Sequence, residues 1–185
     1  MPYLIAGLII FFAVHSLPMM EETRARIIER VGVLTYKAGF ALISILGLAL
    51  IIAGRGAMDF TEIWQPFGWL RFATVLLMFP AVLLVVSAYG PDNSFRRILG
   101  HPMVLGVELW AIAHLLINGD LASILFFGPF LLWAVFAFAS ASRRKPPVGG
   151  RAKLLNDVLF IAAAVIIYVG AIRGHEWFAG VSLVS

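Results

Sequence analysis

Six stretches of this chain are long enough to cross a lipid bilayer and nearly free of charge. Met1 to Met20 carries no charged side chain, and Ala38–Gly54, Phe72–Pro91 and Leu121–Ser142 are uncharged over 17, 20 and 22 residues. Ile98–Gly119 is broken only by Glu108 and two histidines, and Leu154–Ile172 only by Asp157. A helix rises about 1.5 Å per residue, so about 20 apolar residues cross a ~30 Å hydrocarbon core. The chain has 185 residues, 62% of them hydrophobic and 13% charged. Soluble domains average about 45–50% apolar and about 25% charged, and disordered chains are more polar still. Both classes are therefore excluded. The sequence predicts an all-α, polytopic membrane protein: a single transmembrane domain over residues 1–185, with the lipid bilayer as its partner.

Charge sets the expected orientation. The net charge is +4, which on a soluble domain would point toward nucleic acid. Here the cations divide between two sides. With the N-terminus outside, the inner loops hold Arg24, Arg26, Arg30, Lys37, Arg96, Arg97, Arg143, Arg144, Lys145, Arg151 and Lys153, while Arg55, Arg71 and Arg173 lie outside. Cytoplasmic loops carry the Lys/Arg excess in membrane proteins. The expectation is six transmembrane helices with both termini outside, and no nucleic-acid partner. Met1–Met20 lacks the basic start and cleavage site of a signal peptide, so it reads as a retained first span ending near Leu17–Pro18.

The connections carry their own signals. Glu21–Val31 places Glu22, Arg26 and Arg30 at i, i+4, i+8, beside Ile27, Ile28 and Val31, as a short interfacial helix would. Trp64 and Pro66 mark an outer loop with an aromatic anchor. Asn118-Gly119-Asp120 is a tight turn that makes the fourth and fifth spans an antiparallel pair. Arg143–Gly150, with two prolines and two glycines, reads as a flexible linker.

Ionisable residues at membrane depth are functional candidates. They are His15, His101, Glu108, His114 and Asp157; His175 falls beyond the sixth span and reads as a surface residue. Glu108 follows His101 by seven residues, within ~20° on one helical face, which suggests a polar seam inside the bundle. His114 is 13 residues past His101, about 20 Å along the helix and turned by ~140°. One small ligand cannot be held by both. His15 is the other histidine well inside the membrane, about 18 Å from the outer surface against about 8 Å for His114. Helix tilt, or a first span beginning above the core boundary, would close that difference. The chain has no cysteine, which excludes disulfides, thiolate nucleophiles and Cys-held metals. Gly-rich phosphate loops, serine elbows and paired carboxylates are also missing.

The run Gly100-His101-Pro102-Met103, followed by Leu109-Trp110-Ala111-Ile112-Ala113-His114-Leu115-Leu116-Ile117-Asn118-Gly119-Asp120, resembles the signature of the NnrU family. His15-Ser16, the Arg24/Arg26 segment and Tyr36-Lys37 also fit, so the resemblance covers roughly the whole chain. It implies a bacterial inner (cytoplasmic) membrane protein linked to nitrite and nitric oxide reduction. The same domain forms the plant and algal 15-cis-zeta-carotene isomerase, which uses haem b. That implies haem b here, with His15 and His114 on the iron, His101 a further cofactor-site residue, and an apolar small molecule as substrate. Two departures stand out. Gly100 replaces the arginine often found before the His-Pro pair, a role Arg96 or Arg97 would have to fill, and no cysteine ligand exists. The His-Pro pair also resembles membrane methyltransferases of the isoprenylcysteine type, without their downstream cofactor-contacting residues. A non-enzymatic assembly partner of a respiratory complex is the remaining class, so the sequence leaves open whether the chain is an enzyme.

Overall fold

The computed structural model describes residues 1–180. The C-terminal end, which the cation count places outside, lies beyond the described residues. The order of elements is α1 (Pro2–Ser16), a 3-10 turn (Leu17–Met19), α2 (Glu21–Val31), α3 (Val33–Gly56), α4 (Trp69–Ser87), α5 (Ser94–Leu99), α6 (Pro102–Ile117), α7 (Leu121–Arg144) and α8 (Leu154–Ala179). Among the described residues there is no strand, and one isolated bridge pairs Glu62 with Asp120. The all-α expectation therefore holds for them.

Local chemistry sets the helix ends. Pro2 and Pro102 stand in the first turns of α1 and α6, where an amide hydrogen has no helical partner. Gly32, at φ 81°, separates α2 from α3, a backbone angle that costs other residues about 1 kcal/mol or more. The proposed interfacial helix forms with the expected bounds, and its Glu22–Arg26 pair is solvent-exposed at 3.8 Å.

Among the described residues five helical segments are long and apolar enough to cross a membrane: Pro2–Met19, Val33–Gly56, Trp69–Ser87, Leu121–Arg144 and Leu154–Trp177. This is the make-up of a multi-pass membrane protein. Their faces display large apolar side chains, such as Leu42 at 68%, Ile52 at 63% and Ile166 at 72% exposure, more than water tolerates over such lengths. The stretch expected as a fourth span divides. Gly100, at φ 72°, ends α5 and His101 leaves the helical region, so α6 retains 16 residues. That is about 24 Å of helix, shorter than a ~30 Å core. At the other end α8 runs past Ile172. His175, expected beyond the last span, instead lies inside the helix and is half-buried. The run Val169-Gly170-Ala171-Ile172 simply continues helically through Arg173.

The chain forms two compact units: residues 1–65 with 119–129, and residues 66–118 with 130 onward. In the first, α1 lies antiparallel against α3. Three glycines permit the approach. A Cβ on Gly7 would stand 2.6 Å from the Ile51 nitrogen and 2.7 Å from the Gly47 oxygen. One on Gly47 would meet Phe11, and one on Gly54 would overlap the Leu4 backbone. Leu4 and Ile51 are consequently fully buried. Close backbone approach through small residues is how helices gain contact where lipid removes the hydrophobic drive. The same device joins α4 to α6 in the second unit, where a Cβ on Gly106 would lie 2.7 Å from the Ala81 oxygen. There the Thr74 hydroxyl donates to the Ala113 carbonyl at 3.0 Å, and the Tyr168 hydroxyl of α8 to the Val75 carbonyl at 2.6 Å.

Candidate functional site

His15 is the penultimate residue of α1. Its Nδ1 lies 2.8 Å from the Phe11 carbonyl oxygen one turn earlier. A carbonyl only accepts, so Nδ1 carries the proton and, in the neutral ring, Nε2 carries the lone pair. The imidazole stacks on Phe11 at 3.9 Å between centroids and sits 5.0 Å from the Phe40 ring. Tyr36 extends this aromatic wall, with the Arg24 guanidinium 5.6 Å from its ring centre. His15 and Tyr36 therefore both face Phe40 within the first unit, because α1 and α3 are antiparallel.

His114 repeats the arrangement near the end of α6. Its Nδ1 donates to the Trp110 carbonyl at 2.9 Å, leaving the Nε2 lone pair on the other side of the ring, and the two rings lie 5.4 Å apart. The i, i−4 carbonyl bond meets each histidine's structural need and also sets its tautomer. Histidines that bind metals commonly donate their second nitrogen in just this way.

His101 is held differently. It caps the start of α6, and its Nε2 donates to the Lys145 carbonyl at 3.0 Å. The tautomer is the reverse of that of the other two histidines. Glu108, expected to share a polar seam with His101, is half-buried, and among the described residues neither a hydrogen bond nor an ion pair joins the two. His101 and His114 stand at opposite ends of α6, as their spacing required. Among the described residues no three His, Asp or Glu side chains gather as a metal-ion cluster.

The Asn118-Gly119-Asp120 turn is a fastening. The Asn118 amide donates to the His114 carbonyl at 2.8 Å, closing α6. The Gly119 carbonyl accepts from the Ile63 and Trp64 amides, and a side chain on Gly119 would strike the Trp64 carbonyl. The Asp120 carboxylate accepts from the Ser123 amide at 2.9 Å, capping α7. Arg55 donates to the Ser123 hydroxyl at 3.1 Å and spreads over Phe126 and Phe127. Burial pushes the Asp120 carboxyl upward, but its bonds to Ser123 and the Arg55 charge outweigh this and hold it below its ordinary value. A depressed carboxyl stabilises the fold above the unfolded value of about 3.9, and that contribution is lost as pH falls through the folded value. The thermal stability gap between wild type and Asp120→Asn should therefore be widest near neutral pH and close below about pH 4. Melting curves in detergent across that range check it, and a gap that does not narrow as pH falls below about 4 refutes it.

A second fastening, not anticipated from the sequence, ties α4, α5 and α8. Asn93 is fully buried; its side chain caps α5 through the Arg96 amide and donates to the Ser87 carbonyl. Arg96 closes α4 by donating to the Ala88 carbonyl at 2.6 Å. Arg97 bonds Asp92 at 2.8 Å, and Asp157 accepts from the Ser94 amide at 2.8 Å. Arg96 and Arg97 thus hold helix ends. Asn93 three residues before Arg96, opening a short helix, was the readable sign of a cap.

Beside Trp110 the second unit contains an apolar cavity of about 470 Å³. Ala81, Val85, Gly106, Val107, Trp110 and Phe130 are among its walls. Trp110 meets Phe130 edge-on at 5.5 Å. The signature run of α6 therefore supplies the cavity wall, the held histidine and the closing asparagine. A family model described as NnrU protein matches residues 3–183. The chain belongs to the NnrU family. No curated protein and no solved structure matches it. Within this NnrU chain the signature residues Asn118, Gly119 and Asp120 serve as a fastening, and His114 is held by the Trp110 carbonyl one turn back.

Proposed function

We propose that this NnrU protein is a haem b protein of the bacterial inner membrane, in which His15 and His114 would hold the iron. The observation that carries the reading is the shared tautomer: both histidines give Nδ1–H to a carbonyl one turn back, so Nε2 is the nitrogen with a lone pair. The donor set fits the group, since bis-imidazole ligation needs no cysteine, and each histidine has aromatic rings of the kind an apolar macrocycle suits, Phe11 and Phe40 at His15 and Trp110 at His114. Haem would supply an iron able to change oxidation state or ligation. The protein's own part is to fix the two imidazoles and keep water from them. The test is the absorption spectrum of the purified protein, oxidised and then reduced, after expression with ample haem. A Soret band with sharp reduced α and β bands is the expected result. Colourless protein refutes the reading.

In biology the reading places the protein in nitrite and nitric oxide metabolism. The apolar cavity beside Trp110 favours a second activity, haem-dependent isomerisation of an apolar substrate. Its walls offer hydrocarbon contacts, as a site for such a molecule requires.

The proposed topology is six spans with both termini outside, α6 crossing as the short fourth span. Its basis is the cation distribution. Reporter fusions after Arg30, Asn93 and Lys145 should read cytoplasmic, and fusions after Thr61 and Asp120 periplasmic. One internal fusion that reports the opposite side at several fusion lengths removes the six-span arrangement.

A further inference from the structure

The segment after α7 was expected to be a flexible linker, yet it is fastened at successive points. The Lys145 carbonyl accepts from His101. Pro147 packs on Gly100, where an added Cβ would lie 3.3 Å from its ring. The Gly149 amide donates to the Arg97 carbonyl at 2.9 Å, and the Ala152 amide to the Ser94 hydroxyl at 2.9 Å. This strap presents Arg143, Lys145, Arg151 and Lys153, all exposed. Residues 143–153 include no acidic side chain. The two nearby carboxylates are committed, Asp92 to Arg97 and Asp157 to the Ser94 amide. Arg97 holds the Asp92 carboxyl below its ordinary value.

We propose that this strap is a binding surface for anionic phospholipid headgroups. Three observations favour lipid as the occupant. The strap joins the ends of two helices apolar enough to cross a membrane, so its cations lie where headgroups lie. Bare apolar side chains are interleaved with them: Val148 is 89% exposed, Leu154 76% and Leu155 67%. Mixed basic and apolar surface of this kind inserts into an anionic interface. Finally, the positive-inside bias explains how many cations the loop carries but not why its backbone is fastened. Fixing four cations in advance removes the ordering cost that a loose tail would meet on binding. By contrast, α2 carries three arginines and three glutamates and offers no net attraction.

Native mass spectrometry of the detergent-solubilised full chain, titrated with phosphatidylglycerol or phosphatidylcholine of equal chain length, tests the proposal. Phosphatidylglycerol should be retained about ten-fold or more over phosphatidylcholine at low salt. Raising salt from about 0.05 to about 0.5 M should erase most of the preference. Changing Arg143, Lys145, Arg151 and Lys153 together to Gln should abolish it, with haem spectrum and helical circular dichroism unchanged. The same change at Arg24, Arg26 and Arg30 should leave it intact. Inorganic phosphate at equal concentration should not displace the lipid; displacement would make the strap a free-anion site and overturn the proposal. Equal retention of both lipids by wild type overturns it, as does undiminished phosphatidylglycerol binding by the four-Gln variant. Should that variant fail to fold, a wild-type preference that survives high salt still overturns it.

Discussion

Replacing His15 or His114 by Ala should remove haem from the purified protein. If the two histidines hold one haem, as proposed, losing either imidazole would leave the iron with one protein ligand, and retention should fall by most of its wild-type value. Any residual pigment should lose the sharp reduced bands of a bis-imidazole centre. His101→Ala should retain the pigment, because its Nε2 is engaged with the Lys145 carbonyl, and should affect stability instead. His175→Ala should also retain it. The measurement is the reduced-minus-oxidised spectrum, normalised to protein. The depths read from the sequence differ by about 10 Å, so the two variants are tested separately. Equal loss from both supports one macrocycle held by the pair. Loss from one alone assigns the iron to that histidine and discards the other. Loss from His101→Ala alone moves the site to the opposite end of α6 and ends the present assignment.

The second large effect is structural. Gly54→Ala should destabilise the first unit severely, because its Cβ would overlap the Leu4 backbone and no flexible side-chain end can yield. Overpacking of this kind costs about 1–3 kcal/mol, and more where backbone must move. Gly39→Ala, in the same helix, should do the reverse. Nothing lies within 4 Å of its added Cβ, and exchanging a helical glycine for alanine gains about 0.5–1 kcal/mol. Thermal unfolding in detergent, followed by circular dichroism, should show the two midpoints moving in opposite directions. If Gly54→Ala melts at or above wild type, α1 and α3 do not pack at this distance.

The apolar stretches by themselves determined the helical class and most of the candidate spans, because the hydrocarbon core demands length and lack of charge, both of which are local. The break before Pro102 was not legible in them: Ile98–Gly119 looked like one stretch, and the fold divides it at Gly100 and His101. Family membership, too, was legible in the Gly-His-Pro and Leu-Trp-Ala…His…Asn-Gly-Asp runs. What each polar residue of those runs does was not. His101 and His114 carry identical side chains, yet the first caps a helix and reaches a carbonyl 44 positions away, while the second is held by its own preceding turn. Asp157 looked like an ionisable group near a span; only its pairing with the Ser94 amide makes it part of a fastening. Arg143–Gly150 carries the composition of a flexible linker, and four contacts from distant positions pin the strap. Helix periodicity follows from neighbours three and four residues away, so sequence displays it. The partner of a hydrogen bond or the obstacle facing a glycine is set by which helices meet, and that is decided only when the chain folds.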